Sequence, residues 1–209
     1  MNSAPRALVA TADTKLRDAR ATKKKLSRAA LASFSTQGYA ATLTRHIETK
    51  AGVKRGLINY HFGSKQALWT AAAEHMMCIT EEDLGIALKN ILQIAPESRL
   101  HFLAHADTKF CSLHSELNRL MIQESMNCDW RLNWLRERSL QRWHQQVCKN
   151  FNEARALGVA PDMSAHYIFY ILTGAATFMF SNAAEAQALS RANLLDVAGL
   201  EAHAKAVAK

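Results

Sequence analysis

TLTRHIETKAGVKRGLINYHFGSK, residues 42–65, reads as two short helices joined at Ala51, Gly52 and Val53 and followed by a third. Thr42 offers a hydroxyl to cap the first of them. Gly52 tolerates the positive φ that a tight interhelical turn requires, and Ser64 offers a cap to the helix that follows. The segment therefore predicts a helix-turn-helix. Its second helix, expected over residues 54–62, gathers Lys54, Arg55, Asn59, Tyr60 and His61, a mixture of groups suited to phosphates and to base edges.

Working outward, a helix is expected over residues 13–36, burying Leu26, Ala30 and Phe34 at i, i+4 and i+8 and ending at Gly38 as a left-handed cap. Residues 1–12 read as a disordered arm. After Ser64, Leu68, Ala72 and Met76 share one face of a helix that joins the first domain, residues 13–75, to a second, residues 76–209. The net charge of +8 is unevenly divided between them. Residues 1–75 hold 13 Lys and Arg against 4 Asp and Glu, whereas residues 76–209 hold 13 against 14. The positive excess lies with the helix-turn-helix, as expected of a surface that displaces counterions from a polyanion. Lys23, Lys24 and Lys25 read equally well as a solvated run, or, with Arg17 and Arg20, as a basic arm on phosphates or in a minor groove.

Residues 26–68 resemble the N-terminal DNA-binding domain of the tetracycline-repressor (TetR) family of transcriptional regulators. The resemblance runs through AALASFSTQGYAATLTRHI and AGVKRGLINYHFGSKQAL. Phe34, Gly38, Tyr39, Thr42, Ile47, Ala51, Gly52, Val53, Gly56, Tyr60, Phe62, Ser64 and Lys65 fall in the family's order. Glu48 departs from the pattern, standing where the family most often has Ala, and is expected to reach solvent or a cation such as Arg45 or Arg55.

The resemblance implies a palindromic operator in double-stranded DNA and assigns roles at it. Thr44 and Arg45 come from the first short helix. Arg45 and Arg55 are the expected guanine readers, since a guanidinium binds O6 and N7 bidentately. Asn59 pairs with adenine, Gly56 allows close backbone approach and Leu57 meets a thymine methyl. Thr42, Lys54, Tyr60, His61 and Lys65 are assigned to phosphates, with packing inside the small domain as the alternative for Tyr60 and His61, and solvent exposure for Lys65.

The chain as a whole is expected to be all-α, because three prolines, eight glycines and little β-branched alternation leave few signals for strands or long loops. The second domain predicts helices near 98–126, 130–157, 163–184 and 194–207, a helical bundle. Helix 130–157 is amphipathic through Leu132, Leu135, Trp143, Val147, Phe151 and Ala154. Helix 163–184 is apolar nearly all round, from Tyr167 to Phe180, and has to be covered on every side. The resemblance implies that these two helices form a homodimer, which sets two recognition helices about 34 Å apart in successive major grooves. It also implies a cavity for a small-molecule effector that changes the separation of the DNA heads. Phe102, His105, Phe110, Leu117, Met121, Glu124, Trp134, Tyr170 and Phe178 are the apolar and orienting groups suited to a hydrophobic effector, each with plain core as its alternative.

No secretory signal is read at the N-terminus and no apolar run is long enough to span a bilayer, so a cytoplasmic location without membrane partners is expected. Cys78, Cys111, Cys128 and Cys148 form no C-x-x-C pair and read as reduced core thiols. Neither a nucleophile elbow, a phosphate-binding loop nor H-E-x-x-H is present, so no enzyme and no cofactor are expected. His101 and His105 in HFLAH share a helical face, but two ligands are too few for a metal site, and none is expected.

Overall fold

The computed structural model describes residues 5–190 and 194–208, and every regular element among them is helical. The chain divides into two compact units, Met1–His75 and Met76–Lys209.

The first unit opens with α1, Pro5–Ala41. It begins earlier than expected: Pro tolerates the first helical turn, where its missing N–H would be unpaired anyway, and residues 5–12 are helical rather than an arm. The first four residues of the expected arm lie outside the described residues. Gly38, at φ 75° and ψ 165°, kinks α1 where the helix was expected to end, and the helix resumes beyond it to Ala41. Two short helices follow, α2 (Thr44–Lys50) and α3 (Leu57–Phe62), and both touch α1. The predicted row Leu26, Ala30 and Phe34 is at most 1% exposed, as are Ile47 of α2 and Ile58 of α3. Helix α4, Lys65–Asn90, starts inside this unit and buries Leu68, Trp69 and Ala72.

The second unit holds the rest of α4, a 3-10 turn at Ile91–Gln93, and seven further helices. These are α5 (Pro96–Leu113), α6 (Ser115–Ser125), α7 (Trp130–Leu135), α8 (Gln141–Ala156), α9 (Ala165–Ser181), α10 (Ala183–Leu189) and α11 (Val197–Val207). Helix α5 lies against α8, α9 and α11, and contributes Leu103, Ala104, Phe110 and Cys111 to the core. Val147, Phe151 and Ala154 of α8 and Phe169, Ala176 and Phe180 of α9 complete it.

Three of the four predicted helices are subdivided. His114 leaves helical space at φ −124° and ψ 45°, separating α5 from α6, and the Asn118 amide donates to the Cys111 carbonyl (2.9 Å), satisfying a group the break leaves open. A π-helical turn, Arg136–Leu140, lies between α7 and α8. Asn182 separates α9 from α10 with a bend of 77°. No single described helix is long and apolar enough to cross a membrane. The cysteines depart from the reading as core thiols: Cys111 is buried, but Cys78 and Cys128 are exposed and Cys148 is half-buried.

Within α5, Asp107 is buried beside the Cys111 thiol, which donates weakly to its Oδ1 at 3.9 Å. Removal from water penalises the carboxylate and pushes its pKa up from 3.8 to about 7. The folded chain thus keeps a proton that the unfolded chain releases, so stability is expected to fall as pH rises from 3.8 to about 7 and to level off above. Asp107→Asn should remove this part of the slope, about 1.4 kcal/mol per pH unit, when urea unfolding is followed from acid to mildly alkaline pH.

Candidate functional site

The turn between α2 and α3 is built by local hydrogen bonds. Ala51 N–H donates to the Ile47 carbonyl (2.8 Å), Gly52 N–H to Thr49 (3.1 Å) and Val53 N–H to the Glu48 carbonyl (3.1 Å). Gly52 and Gly56 sit at φ 65° and 87°, left-handed backbone that costs an L side chain roughly 1 kcal/mol or more. A Cβ at Gly56 would meet nothing within 4 Å, so glycine serves the conformation here rather than a close approach inside the protein.

Helix α3 spans six residues, shorter than expected, and Lys54 and Arg55 precede it in the turn. Gly56 has no side chain to cap it. The cap comes from α2 instead: Glu48 Oε1 accepts from the Ile58 N–H at 3.0 Å, and Glu48 is 5% exposed. This corrects the expectation that Glu48 reaches solvent or an arginine. A carboxylate at the positive end of a short helix gains from both the hydrogen bond and the helix dipole, and its charge is turned away from the outer face.

The remaining assigned residues separate by exposure. Arg45, Lys54, Arg55, Gly56, Asn59 and Tyr60 are exposed, Tyr60 by 80%, while Thr44, Leu57 and His61 are half-buried. The rings of Tyr60 and His61 meet edge to face at 4.9 Å. Lys65 is half-buried, its ammonium 4.4 Å from the centre of the Tyr39 ring and 3.5 Å from the Ala40 carbonyl.

Thr42 is corrected outright. It is fully buried and its Oγ1 donates to the carbonyls of Gly38 (2.7 Å) and Ser33 (3.3 Å), so it holds the end of α1 together rather than meeting a phosphate. Nor does it cap α2, whose N-cap is Leu43 with no side-chain bond. Ser64 does cap the next helix, its Oγ accepting from Ala67 N–H at 3.0 Å.

The residues assigned to an effector also separate by exposure. Phe110 and Leu117 are core, and Phe102, Met121 and Trp134 are half-buried. Tyr170 and Phe178 stand on the outer side of α9, 72% and 65% exposed. Glu124, expected to orient a ligand, is buried against Arg131, whose Nε donates to Oε2 at 2.5 Å, and Asp129 holds the same guanidinium at 2.6 Å. His105 faces Glu201 of α11 at 3.5 Å, and His101 is exposed, so the HFLAH pair does not converge on a site.

A cavity of about 50 Å³ opens elsewhere, lined by Thr80 and Leu88 of α4 and by Arg138, Arg142 and Trp143. It holds none of the nine assigned residues and is small beside the 300 Å³ or more, roughly, of an enclosing ligand pocket. At its edge Arg138 binds Glu81 through two nitrogens, at 2.5 and 3.2 Å, which holds the Glu81 carboxyl below its ordinary pKa.

A basic turn and a short helix supported by α1 and α2, followed by a separate helical unit, define a helix-turn-helix protein of two units. Residues 26–72 match the model of the family described as bacterial regulatory proteins, tetR family. The helix-turn-helix unit is TetR-like by that match, and along its length the chain shares the fold of several solved proteins. A crystal structure of a HlyIIR mutant protein covers 89% of this chain and 94% of its own at a TM-score of 0.63 and 18% identity. A transcriptional regulator from Streptomyces coelicolor covers 89% and 96% at 0.61 and 20%. FadR from Bacillus subtilis, solved in complex with stearoyl-CoA, covers 88% and 95% at 0.62 and 14%. No curated protein matches the chain.

Glu48→Ala is expected to lower thermal stability by about 1–3 kcal/mol, because it leaves a buried N–H without an acceptor. Glu48→Gln keeps an acceptor oxygen and should lose less. Melting followed by circular dichroism at neutral pH distinguishes the two.

Proposed function

We propose that the protein is a homodimeric, sequence-specific transcriptional repressor of the cytoplasm, whose affinity for a palindromic operator is changed by a small hydrophobic effector. The observation that carries the DNA reading is the outward set Arg45, Lys54, Arg55, Asn59 and Tyr60 about α3, beside which the Glu48 carboxylate is turned inward. Arg45 and Arg55 suit guanine and Asn59 adenine, while Lys54 and Tyr60 suit phosphates. Lys65, bound to Tyr39 and Ala40, supports the backbone at the start of α4 and is left with a lesser share in phosphate binding.

Recovery of duplexes from a random library at about 150 mM salt, a concentration that suppresses weaker nonspecific binding, tests this reading. A palindromic consensus is expected from the wild type. Arg55→Ala should relax one position of each half-site by about 1–3 kcal/mol of discrimination. Equal weakening on cognate and random DNA would remove Arg55 from the base readers, and retention without consensus would favour an architectural protein.

The dimer is supported by α9. Tyr167, Tyr170, Ile171, Gly174 and Phe178 make one exposed stripe, with Tyr167, Tyr170, Ile171 and Phe178 each more than half exposed. An apolar helical face of this kind marks an interaction site, and a second copy meets it with the same face. Ile171→Glu combined with Phe178→Glu is expected to give a folded monomer in analytical ultracentrifugation, against a dimer for the wild type. An unchanged sedimentation coefficient would exclude this face.

The effector is proposed for the second unit. The complex of Bacillus subtilis FadR with stearoyl-CoA belongs to a protein alike in fold, and by analogy with it Phe102, Phe110, Leu117 and Met121 offer apolar walls. Such a ligand has to open space among α5, α6 and their neighbours, and so selects a conformation in which these helices stand further apart.

A further inference from the structure

His144 and Cys148 are one helical turn apart on α8 and share a face. His166, in the first turn of α9, meets them there. His144 Nε2 and His166 Nδ1 are 2.9 Å apart, and Cys148 Sγ lies 3.5 Å from the same His144 nitrogen. One ligand atom from each of the three falls within 4.8 Å of the others, and no other described trio of His, Cys, Asp or Glu comes as close.

The surroundings hold these groups in place. Ser164 Oγ accepts from the His166 N–H at 3.3 Å and caps α9. The Phe169 ring meets the His144 ring edge-on at 4.8 Å, and the two imidazole planes lie within 16° of parallel. The Cys148 thiol donates to the Ala165 carbonyl at 3.5 Å. The two imidazoles can share one proton in the gap between them, and a cation can take its place.

Tetrahedral bonds of about 2.0–2.1 Å to nitrogen and 2.3 Å to sulfur set two nitrogens about 3.3 Å apart, and nitrogen and sulfur about 3.6 Å apart. The observed sulfur–nitrogen separation is already there. The nitrogen pair has to open by only about 0.4 Å, and the third distance closes by a side-chain rotation. Two imidazoles and a thiolate without a carboxylate select a borderline-soft ion over magnesium or calcium.

We propose that His144, Cys148 and His166 bind Zn²⁺ between α8 and α9, with the fourth position open to solvent. The proposal stands on these three side chains and does not require the DNA or effector readings.

The test uses the full-length reduced protein titrated with Co²⁺ as a visible stand-in for Zn²⁺. One ion per chain is expected, with tetrahedral ligand-field bands and a thiolate-to-cobalt charge-transfer band, both erased by added Zn²⁺. Cys148→Ser should abolish the charge-transfer band, while Cys78→Ser and Cys128→Ser, at exposed thiols outside the trio, should leave it unchanged. His166 is exposed, so His166→Ala is expected to fold as the wild type by circular dichroism and to weaken Zn²⁺ roughly tenfold or more in competition with a chromophoric chelator. Absence of Co²⁺ binding to the wild type, a charge-transfer band that survives Cys148→Ser, or unchanged Zn²⁺ affinity in His166→Ala would each overturn the site.

Discussion

The hydrogen bond from the Ile58 N–H to Glu48 governs the geometry of the first unit. Helix α3 has six residues, too few to be stable on its own, and begins at a glycine that cannot cap it. Its direction has to be imposed from outside. The buried Ile58 side chain anchors one side, and the neighbouring α2 supplies a carboxylate to the open amide. The same residue's backbone carbonyl takes the Val53 N–H, so Glu48 fixes both the turn and the helix that follows it. Arg55, Asn59 and Tyr60 project in a defined direction because that one side chain does not.

Much of this unit was legible because its signals are local. The spacing of Leu26, Ala30 and Phe34, the positive-φ glycines and the Ser64 cap each depend on a few neighbouring residues, and each is found in the structure. Thr42 misled because a hydroxyl before a helix fits a cap as well as it fits a bond back to the preceding turn. Burial in the core decides for the second. Glu48 misled because its partner, ten residues away, is a backbone amide that leaves no mark in the sequence.

The second unit was legible as helices and poorly as a site. Spacing along one helix cannot tell a residue that faces a cavity from one that faces a neighbouring helix. Phe110 and Leu117 therefore resolve to core, and Tyr170 and Phe178 to surface, from equivalent apolar patterns. His144 and Cys148 carry the i, i+4 spacing of a ligand pair as plainly as His101 and His105 do. The difference lies in what the adjoining helix brings: His166 opposite the first pair, and Glu201 opposite His105.

The π-helical turn at Arg136–Leu140 bears on how this chain tolerates changes in length. Leu135 before it and Val147 after it are both buried, at 0% and 3% exposure. At about 100° per residue an unbroken α-helix would set them about 120° out of phase. A turn that absorbs one extra residue brings them to within about 20°, so the buried row continues from α7 into Val147, Phe151 and Ala154 of α8. The extra residue behaves as an insertion already accommodated. Loss of one residue from this turn returns the ladder to α-helical pairing with the row still aligned, whereas one residue more or fewer between His144 and Cys148 breaks the spacing that sets both beside His166.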